Sequence, residues 1–449
     1  MSTSLWQDIQ RPVKRPPVTE SKSCDVVIVG AGFTGLWTAF WLLELNPSLD
    51  IIIVEKEYVG FGASGRNGGW FSALFPASLD KVAKVSSRSD AVKLYRAMMN
   101  NVTETGDVIR SKSLDCDWRH DGTYTFARSE AQLHRAKEEI SYFRSWGFDA
   151  GDIDLLPPES LAIPATNLRG SIFTPHCASV HPYKLVIELA RYLESRGVRI
   201  FEESPATNIK PKRVEVLDHV VDAKYVVRAT EAYTTQLAGE KRTLAPIYSF
   251  MIATEVLPEN TVSSLALNGS TFADLRNLVI YGQITKDNRI AFGGRGAPYH
   301  FGSKISASYE KNPEVSKRIF SILQEMFPSI GNVEITHQWA GVLGIFRDWY
   351  PRVSFEKETG FAYAGGYIGD GVGSSALAGK TLAHLISDTP THLTELPWLN
   401  RPIRRWEIEP LRYLGISFGL NAMTFADYEE KITKRPSIIG KLMSPLIGH

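Results

Sequence analysis

Two unbroken apolar runs, separated by a short glycine turn, begin the ordered pattern of the chain. Residues 26–29 are all Val or Ile, which is typical of a buried β-strand. Residues 36–45 are almost entirely apolar and are followed by Pro47, so they predict a buried helix that ends before the proline. Residues 51–54 form a second β-branched run. The order predicts a strand–turn–helix–strand unit with parallel strands.

The turn in this unit has the spacing G-x-G-x-x-G, formed by Gly30, Gly32 and Gly35 around Phe33 and Thr34. Such glycines allow a tight turn, the close approach of a pyrophosphate and close packing of the helix on the strand. The free N–H groups and the positive dipole end of the helix then face the phosphates. The turn therefore predicts a dinucleotide cradle.

Glu55 follows the second strand, 20 residues after Gly35. A carboxylate at this place accepts hydrogen bonds from the two ribose hydroxyls and disfavours a 2′-phosphate, so NADP is the least favoured ligand. An ordinary βαβ unit without a nucleotide is the alternative. We disfavour it because the strands, the turn, the helix and the acid all fall in register.

Length and charge limit the remaining classes. A chain of 449 residues has room for two or three domains, and 50 basic against 49 acidic residues give no electrostatic footprint for nucleic acid or an anionic membrane. Three cysteines without CxxC spacing predict neither a disulfide framework nor a metal site, and they fit a cytoplasmic protein. Residues 26–45 would pass a hydropathy test for a membrane span, but their glycines favour a strand plus a helix.

A second glycine-rich stretch follows Glu55 at residues 60–70, with five glycines in residues 60–69. It cannot be a stable helix, so its backbone passes close to a flat group or takes positive φ angles. A plain flexible loop is the alternative. Its place after Glu55 predicts that it runs along the cofactor toward the reactive ring.

With Gly30 to Gly35, Glu55 and residues 62–69 in view, the chain resembles the FAD-dependent D-amino acid oxidase superfamily, which includes glycine, sarcosine and γ-glutamylputrescine oxidases. The resemblance covers about residues 24–390 and implies FAD rather than NAD. It implies an α/β fold (α+β overall), with a Rossmann-like FAD-binding domain and an antiparallel-sheet substrate domain. Covalent members attach the ring through a Cys or His that this chain lacks at the matching positions, so the resemblance implies non-covalent FAD.

The resemblance divides the chain as follows. Residues 1–23, which include three prolines, are expected to be an extended tail on the surface or disordered. The FAD-binding domain comprises residues 24–80, 171–240 and 340–395, and the substrate domain comprises 81–170 and 241–339. Residues 396–449 form a helical extension, in which 411–423 pack on the body and 438–447 cover a cofactor entrance or meet a partner. A surface helix is favoured there over a membrane anchor.

The resemblance also implies a set of cofactor-binding residues. Residues 226–233 are similar to the family's strand and A-T-G/N-A turn near the diphosphate, where Glu231 departs from the usual small or amide residue unless Arg228 or solvent offsets its charge. A late turn holds Asp370 where the family usually has histidine. The full set is Gly30, Gly32, Phe33, Thr34, Gly35, Glu55, Lys56, Ala63, Ser64, Arg66, Asn67, Gly68, Gly69, Ala229, Thr230, Gly366, Gly369, Asp370, Gly371 and Val372.

The substrate side is expected on the strands predicted at residues 249–255, 278–281 and 289–296, because the corresponding sheet of the family lies over the flavin ring. The pocket candidates are Tyr281, Arg295, Tyr299 and His300, with ordinary rim positions as the alternative for each. The residues predicted to take part in catalysis are Tyr281, Arg295, Arg347 and Tyr367.

Related amino acid oxidases often carry an Arg-Pro pair that grips the substrate carboxylate, and here those positions hold Leu343 and Gly344. We therefore expect an amine, or a compound whose carboxylate is distant from the reacting carbon, unless Arg295 or Arg347 restores the contact. The expected reaction is hydride transfer from the carbon next to nitrogen to FAD, and hydrolysis of the imine.

Oxidases of the sarcosine type in this superfamily place a lysine above the flavin, where its charge stabilises superoxide as it forms. The segment that looks equivalent, residues 293–296, has no lysine and offers only Arg295, so the resemblance favours a dehydrogenase with another acceptor over an oxidase that uses oxygen. The rival functions are a nicotinamide-dependent reductase and a non-catalytic FAD-binding protein. The expected partners are a small amine and an electron acceptor, with no nucleic acid and no stable membrane insertion. The sequence leaves the oligomeric state open.

Overall fold

The structure is a computed structural model that describes residues 4–8, 14–294 and 298–447. The α-helices in these ranges are α1 (Phe33–Leu45), α2 (Leu79–Val85), α3 (Arg88–Ser111), α4 (Glu130–Ser145), α5 (Pro182–Ser195), α6 (Glu259–Ser264), α7 (Pro313–Met326), α8 (Gly371–Ile386), α9 (Leu411–Thr433) and α10 (Ile438–Ile447). The β-strands are β1 (Lys22–Val29), β2 (Ile51–Val54), β3 (Trp70–Ser72), β4 (Thr123–Ala127), β5 (Asp154–Leu156), β6 (Gly170–Thr174), β7 (Cys177–Ser179), β8 (Arg199–Phe201), β9 (Ala206–Lys210), β10 (Arg213–Val216), β11 (His219–Arg228), β12 (Ala245–Thr254), β13 (Thr271–Asp274), β14 (Ile280–Ile284), β15 (Ile290–Gly294), β16 (Ile335–Ile345), β17 (Arg352–Glu356) and β18 (Phe361–Gly365).

The first sheet has the strand order β17-β18-β11-β1-β2-β8, and the β9–β10 hairpin is added to it through β11. Strands β18, β11, β1, β2 and β8 are parallel, and β17 pairs antiparallel with β18. The carboxyl ends of the parallel strands therefore meet at one edge, which is where open α/β sheets bind their ligands.

The second half of strand β1, residues 26–29, is buried on both faces. Val26 and Ile28 belong to the core cluster that also contains side chains of α1, α5 and α8. Val27 and Val29 point to a second cluster, which includes Val214 of β10. Burial on both faces explains the unbroken apolar run of these four residues, because none of them is exposed to water.

The second sheet has the order β16-β12-β15-β14-β13-β4-β6-β5 and is antiparallel except for the β13–β4 pair. Helix α7 covers one face with Val315, Ile319 and Leu323. The strands predicted at residues 249–255 and 278–281 lie in this sheet as β12 and β14, with shifted ends. The strand predicted at 289–296 lies there as β15, and its residues 295 and 296 are outside the described residues. A parallel sheet and a mainly antiparallel one thus coexist, as the predicted fold class requires.

The predicted domain limits remain a prediction, and three of them fall inside strands. The limit at 23/24 cuts β1 of the first sheet. The limit at 170/171 cuts β6, and the limit at 339/340 cuts β16, both of which belong to the second sheet. Strand alternation shows where a strand runs but not which sheet it joins, so these limits could not be placed more closely from the sequence.

The prediction of an extended or disordered tail is wrong for Leu5–Asp8, which forms a 3₁₀-helix. Trp6 is 1 % exposed, its Nε1 donates to the Asn67 carbonyl at 2.7 Å, and its ring meets that of His181 edge-on at 5.1 Å. Further along, Arg15 forms ion pairs with Glu194 and Glu202. Several prolines made the segment resemble a linker, whereas Trp6 and Arg15 fasten it to the body.

The prediction that residues 411–423 pack on the body is met by Ile416, which packs against the cluster that contains Tyr299 and Trp406, but not by the larger side chains on the opposite face of the helix. Helix α9 lies on the protein through Arg412, Ala426 and Glu430, while Leu414 and Phe418 are more than half exposed. A hydrogen bond from Arg412 to the Lys241 carbonyl at 3.1 Å and the ion pair of Glu430 with Arg135 fix this rotation of the helix. Across the described ranges, we find no helix with both the length and the apolar character needed to span a membrane.

His181 makes the stability depend on pH. Its Nδ1 accepts from the Lys184 N–H at 3.1 Å, and burial lowers its pKa from 6.5 to about 4. Between pH 6.5 and about pH 4 the folded protein therefore binds fewer protons than the unfolded chain. The contribution of neutral His181 to the free energy of unfolding is complete above pH 6.5 and is lost as the pH falls toward 4. In His181→Asn the amide oxygen can still accept from the helix N-terminus, but the side chain does not titrate in this pH range.

Between pH 7 and pH 4.5, we expect the free energy of unfolding to fall by roughly 2 to 3 kcal/mol more in the wild-type protein than in His181→Asn. Urea unfolding at the two pH values measures this difference. Equal losses in the two proteins would contradict a neutral, buried His181.

Candidate active site

A cavity of about 610 Å³ lies at the carboxyl ends of β1, β2 and β11 and reaches β16 of the second sheet. Volumes of this size are typical of cofactor and ligand sites. The predicted cofactor residues that line it come from the first glycine turn, the end of β2, the glycine-rich stretch at 60–70, the segment 226–233 and the late turn around Asp370. They are Gly30, Gly32, Phe33, Thr34, Glu55, Lys56, Ala63, Ser64, Asn67, Ala229, Thr230, Gly369, Gly371 and Val372.

The first glycine turn has no room for side chains. Gly30 has φ +111°, and a Cβ there would lie 2.5 Å from the Ala229 carbonyl oxygen. Gly35 does not line the cavity but packs the helix on the strand, since a Cβ there would lie 2.1 Å from the Gly30 carbonyl oxygen. The bare turn therefore leaves its backbone open to a ligand at the start of α1.

Glu55 lies at the end of β2 and lines the cavity. Its carboxylate accepts from the N–H of Ala31 at 2.8 Å and from the N–H of Glu57 at 3.0 Å. Burial raises the pKa of this carboxyl, and the two N–H donors act against that shift. A carboxylate has about four acceptor sites, so two remain for the hydroxyls of a ribose.

The starts of two helices meet at the cavity. Gly371 and Val372 begin α8, and the Asp370 side chain makes no capping hydrogen bond there. The hydroxyl of Tyr367 lies 2.9 Å from Thr34 Oγ1 at the start of α1, and burial raises the pKa of the Tyr367 phenol. Two helix N-termini at one cavity favour an anionic ligand.

Glu231 connects the two sheets beside the cavity. Its carboxylate accepts from the N–H of Gly344 in β16 at 2.7 Å and from the N–H of Gly366, after β18, at 3.0 Å. Arg228 does not offset its charge, because that guanidinium pairs with Glu240 at 2.8 Å. Burial raises the pKa of Glu231, while the backbone donors oppose the shift.

The backbone of Glu231 has φ +41°, a region in which glycine and asparagine are favoured. This explains why the family's motif has a small or amide residue there. A glutamate tolerates the conformation here because its side chain is held at both oxygens.

Three consecutive carbonyl groups of the glycine-rich loop are held by side chains from distant parts of the chain. The Arg66 carbonyl accepts from Trp339 Nε1 at 2.8 Å, the Asn67 carbonyl from Trp6 Nε1 at 2.7 Å, and the Gly68 carbonyl from Gln283 Nε2 at 2.8 Å. The sequence analysis missed these three residues, since no local pattern marks a donor that acts across the fold. They fix the loop, whose residues Ala63, Ser64 and Asn67 line the cavity.

The other predicted cofactor residues lie behind the cavity wall. Arg66 pairs with Glu310 at 2.7 Å, and Asp370 accepts from Ser72 at 3.2 Å. Gly69 lies against Gln283, since a Cβ there would meet Nε2 at 1.9 Å. Gly68 faces Tyr281 in the same way, and Gly366 serves as the donor to Glu231. These residues support the wall rather than form its surface.

Of the four residues predicted for catalysis, Tyr367 lines the cavity, and Arg295 lies outside the described residues. The Tyr281 hydroxyl lies 2.8 Å from Ser249 Oγ, outside the lining. Arg347 pairs with Glu407 at 2.8 Å, also outside it.

The two other pocket candidates have structural contacts. Tyr299 donates to Glu409 at 2.8 Å, next to α9. His300 stacks on Tyr309 with ring centroids 3.4 Å apart. Neither residue lines the cavity.

Comparison with known proteins agrees with this geometry. The model of a family described as DAO, FAD dependent oxidoreductase, matches residues 25–385. This chain belongs to the DAO family of FAD-dependent oxidoreductases. Its cofactor is therefore FAD, and the rival nicotinamide-dependent reductase is set aside.

Relatives and solved structures cover most of the chain. It is 30 % identical over 400 residues to the probable oxidoreductase OrdL of Haemophilus influenzae, covering 86 % of this chain and 88 % of the relative. It is also 30 % identical over 384 residues to gamma-glutamylputrescine oxidoreductase of Escherichia coli, covering 82 % and 85 %. Glycine oxidase from Geobacillus kaustophilus has the same fold, with a TM-score of 0.69, 20 % identity and coverage of 85 % and 100 %. The predicted fold class is confirmed.

The residues of this DAO-family chain fit FAD. The bare turn at Gly30 and the two helix N-termini suit a diphosphate, and Glu55 keeps acceptors for ribose hydroxyls. The lining also contains residues that the sequence analysis did not select: Pro205, Ala206 and Thr207 after β8, Tyr233 after β11, and Val342 in β16. Leu343, expected on the substrate side, lines the cavity as well. Residues 205–207 had a signal that could have been used, because they follow the carboxyl end of a parallel strand.

Removing the Glu55 carboxylate tests the ribose assignment. We expect Glu55→Ala to weaken FAD binding by roughly 1 to 3 kcal/mol, because ribose hydroxyls lose a charged acceptor. Fluorescence titration of apoprotein with FAD measures this. The matched control is Glu57→Gln, whose side chain also lines the cavity but whose contact with Glu55 is made by its backbone. An FAD affinity unchanged in Glu55→Ala, or lowered equally in Glu57→Gln, would refute the assignment.

Removing the Glu231 carboxylate tests the link between the sheets. We expect Glu231→Ala to lower the free energy of unfolding by roughly 1 to 3 kcal/mol, because the N–H groups of Gly344 and Gly366 lose their acceptor. Glu231→Gln retains one carbonyl oxygen as an acceptor, so its free energy of unfolding should fall by less than that of Glu231→Ala. Urea unfolding of the apoproteins compares them, and a Gln variant as unstable as the Ala variant would show that the hydrogen bonds are not the cause.

Proposed function

We propose that this protein oxidises the carbon–nitrogen bond of an amine whose carboxylate, if it has one, is distant from the reacting carbon. The observation that carries the proposal is the wall of the cavity at β16. Leu343 lines it, and the N–H of Gly344 donates to Glu231.

An Arg-Pro pair is incompatible with this wall. Proline has no N–H for Glu231, and a Cβ at position 344 would lie 2.8 Å from Glu231 Oε2. Leu343 therefore places an apolar side chain where related amino acid oxidases have a guanidinium. A carboxylate next to the reacting carbon would lack a bidentate partner there.

The described cations near the site do not replace that arginine. Arg66 is paired with Glu310, and Arg347 with Glu407. Among the described residues that line the cavity, Lys56 is the only cation, and it follows β2 in the other sheet. A substrate carboxylate is therefore favoured only at a distance from the reacting carbon.

One relative supports the same substrate class. Gamma-glutamylputrescine oxidoreductase of Escherichia coli is named for an amine whose glutamyl group lies at the far end of the molecule. We extend this chemistry to the present chain as a class, an amine with its acidic group remote from the oxidised carbon.

The chain's own residues prepare the substrate. When bound, FAD supplies the electron-accepting chemistry by taking a hydride from the carbon next to nitrogen. Val342, Leu343 and Ile368 line the site with apolar surface, which disfavours an ammonium ion, so the amine binds in its neutral form. The Tyr367 hydroxyl, held by Thr34, offers a polar contact within that surface. The imine product is then hydrolysed by water to a carbonyl compound and an amine.

The mode of attachment is inferred from the positions at which related enzymes bind the ring covalently. Residues 66–69 contain no histidine and the substrate-side segment has no cysteine at the matching position, so we propose that FAD is held without a covalent bond. The segment 293–296 contains no lysine, so we keep a dehydrogenase as the preferred form, although Arg295 lies outside the described residues.

Anaerobic reduction of the enzyme tests the substrate class. Loss of the visible flavin absorbance should be at least about tenfold faster with γ-glutamylputrescine or simple primary amines than with glycine or D-alanine, since a charge-assisted contact contributes about 1.5 to 3 kcal/mol. Leu343→Arg should shift this preference toward D-alanine by a similar factor, and Leu343→Met is the control that keeps an apolar wall. Mixing the reduced enzyme with air-saturated buffer should give slow reoxidation.

Faster reduction of the wild-type enzyme by glycine or D-alanine would refute the proposed substrate class. A holoprotein that retains FAD but is reduced by no amine would instead favour the non-catalytic alternative. Reoxidation much faster than that of free reduced flavin would identify an oxidase.

A further inference from the structure

Helix α9 is oriented opposite to an ordinary surface helix. Its charged residues Arg412 and Glu430 face its own protein and are 2 % and 8 % exposed. Asp427 faces the same way and accepts from the backbone N–H groups of Asn277 and Leu278. Ile416 packs on the body, but most of the large apolar side chains of α9 face solvent instead. Leaving these side chains exposed does not stabilise a monomer, because burial of apolar surface is the main favourable contribution to folding.

The exposed residues of α9 follow one regular line, which we call the C-terminal seam. They are separated alternately by three and four residues, the spacing of the a and d positions of a coiled coil. The seam consists of Leu411, Leu414, Phe418, Asn421, Phe425, Tyr428 and Ile432. It spans three heptads, the length at which such a repeat becomes informative.

The centre of the seam is polar. Asn421 lies midway between Leu411 and Ile432 and is exposed. A two-fold axis through the middle of the seam brings the two Asn421 amides together, where each can donate to and accept from the other. A single asparagine in an apolar seam is a known device for fixing the register of paired helices. Lipid would offer the amide no such partner.

The exposed area is large enough for a specific contact. The six apolar side chains of the seam are 56 % to 67 % exposed. At on the order of 100 Å² each, they present about 600 Å² of apolar surface per chain. This is the upper end for the largest apolar patch on a monomeric protein, and it is close to the roughly 800 Å² that each partner buries in a standard interface. The flanking residues Gly415, Ala422 and Thr424 are small and allow a second helix to approach closely.

We propose that two copies of this chain form a two-fold dimer by pairing their C-terminal seams. The same surface on both copies makes the contact isologous, which is the usual arrangement of soluble homodimers. Arg412 bonds to the Lys241 carbonyl, Asp427 to the Asn277 N–H and Glu430 to Arg135, so the helix is held to each body. The seams therefore project outward already in position, and little conformational order changes on pairing.

Light scattering after gel filtration of the full-length, FAD-loaded protein tests the proposal. We expect the wild-type chain of 50.0 kDa to elute with twice that mass. Phe418→Lys and Phe425→Lys should each raise the dimer dissociation constant by roughly 30-fold or more, because each removes an aromatic anchor and places an ammonium group in an apolar contact. Val256→Lys is the matched control, since Val256 is also an exposed apolar residue, at 53 %, but lies outside the seam.

A cross-link gives an independent measurement. Asn421→Cys should form a disulfide-linked dimer on mild oxidation, and adding Phe418→Lys should abolish it. The wild-type chain is the control, because Cys116 and Cys177 are buried and Cys24 is partly buried. Retained FAD and unchanged circular dichroism show that the variants are folded.

A wild-type protein that is monomeric at tens of micromolar, roughly the range of a weak dimer, would overturn the proposal. A dimer that persists in both lysine variants would also overturn it, since another surface would then be used. Binding of the monomer to phosphatidylglycerol vesicles, lost in Phe418→Lys, would assign the seam to a membrane surface instead.

Discussion

The carboxylate of Glu231 is the contact on which the geometry of the site depends. It accepts from Gly344 at the end of β16 and from Gly366 just after β18, so one side chain joins the second sheet to the first. The contact requires a backbone of φ +41° at Glu231 and a glycine at position 344. Because position 344 must be glycine, the wall of the cavity at β16 is formed by the apolar side chain of Leu343 and carries no Arg-Pro pair. We expect the substrate to be selected at this wall.

The cavity itself is a consequence of parallel strands. Because β1, β2, β11 and β18 run in one direction, the turns that follow them gather at a single edge, and α1 and α8 begin there. The hydrogen bond between Tyr367 and Thr34 keeps these helix starts adjacent. The loop of residues 60–70 then closes the side, held by side-chain donors from the N-terminal segment and from β14 and β16.

Helix α9 shows how electrostatic contacts can decide the face that an amphipathic helix presents. Its apolar stripe is clear in the sequence and predicts contact with the body. The hydrogen bond from Arg412 to the Lys241 carbonyl and the ion pair of Glu430 with Arg135 hold the other face of the helix on the body, so the stripe faces solvent. A buried charge without such partners would be costly. The resulting apolar surface is available for association.

The sequence by itself determined the nucleotide-binding unit, because its signals are local. The strand at 51–54, the glycine spacing from Gly30 to Gly35 and the acid at Glu55 all lie within 30 residues and follow backbone rules that need no distant partner. Only the tertiary structure decided that Trp6, Gln283 and Trp339 hold the glycine-rich loop, that Glu231 bonds two strands, and that the stripe of α9 faces outward. These contacts join residues far apart in the chain, and no local pattern encodes which donor will meet which acceptor after folding.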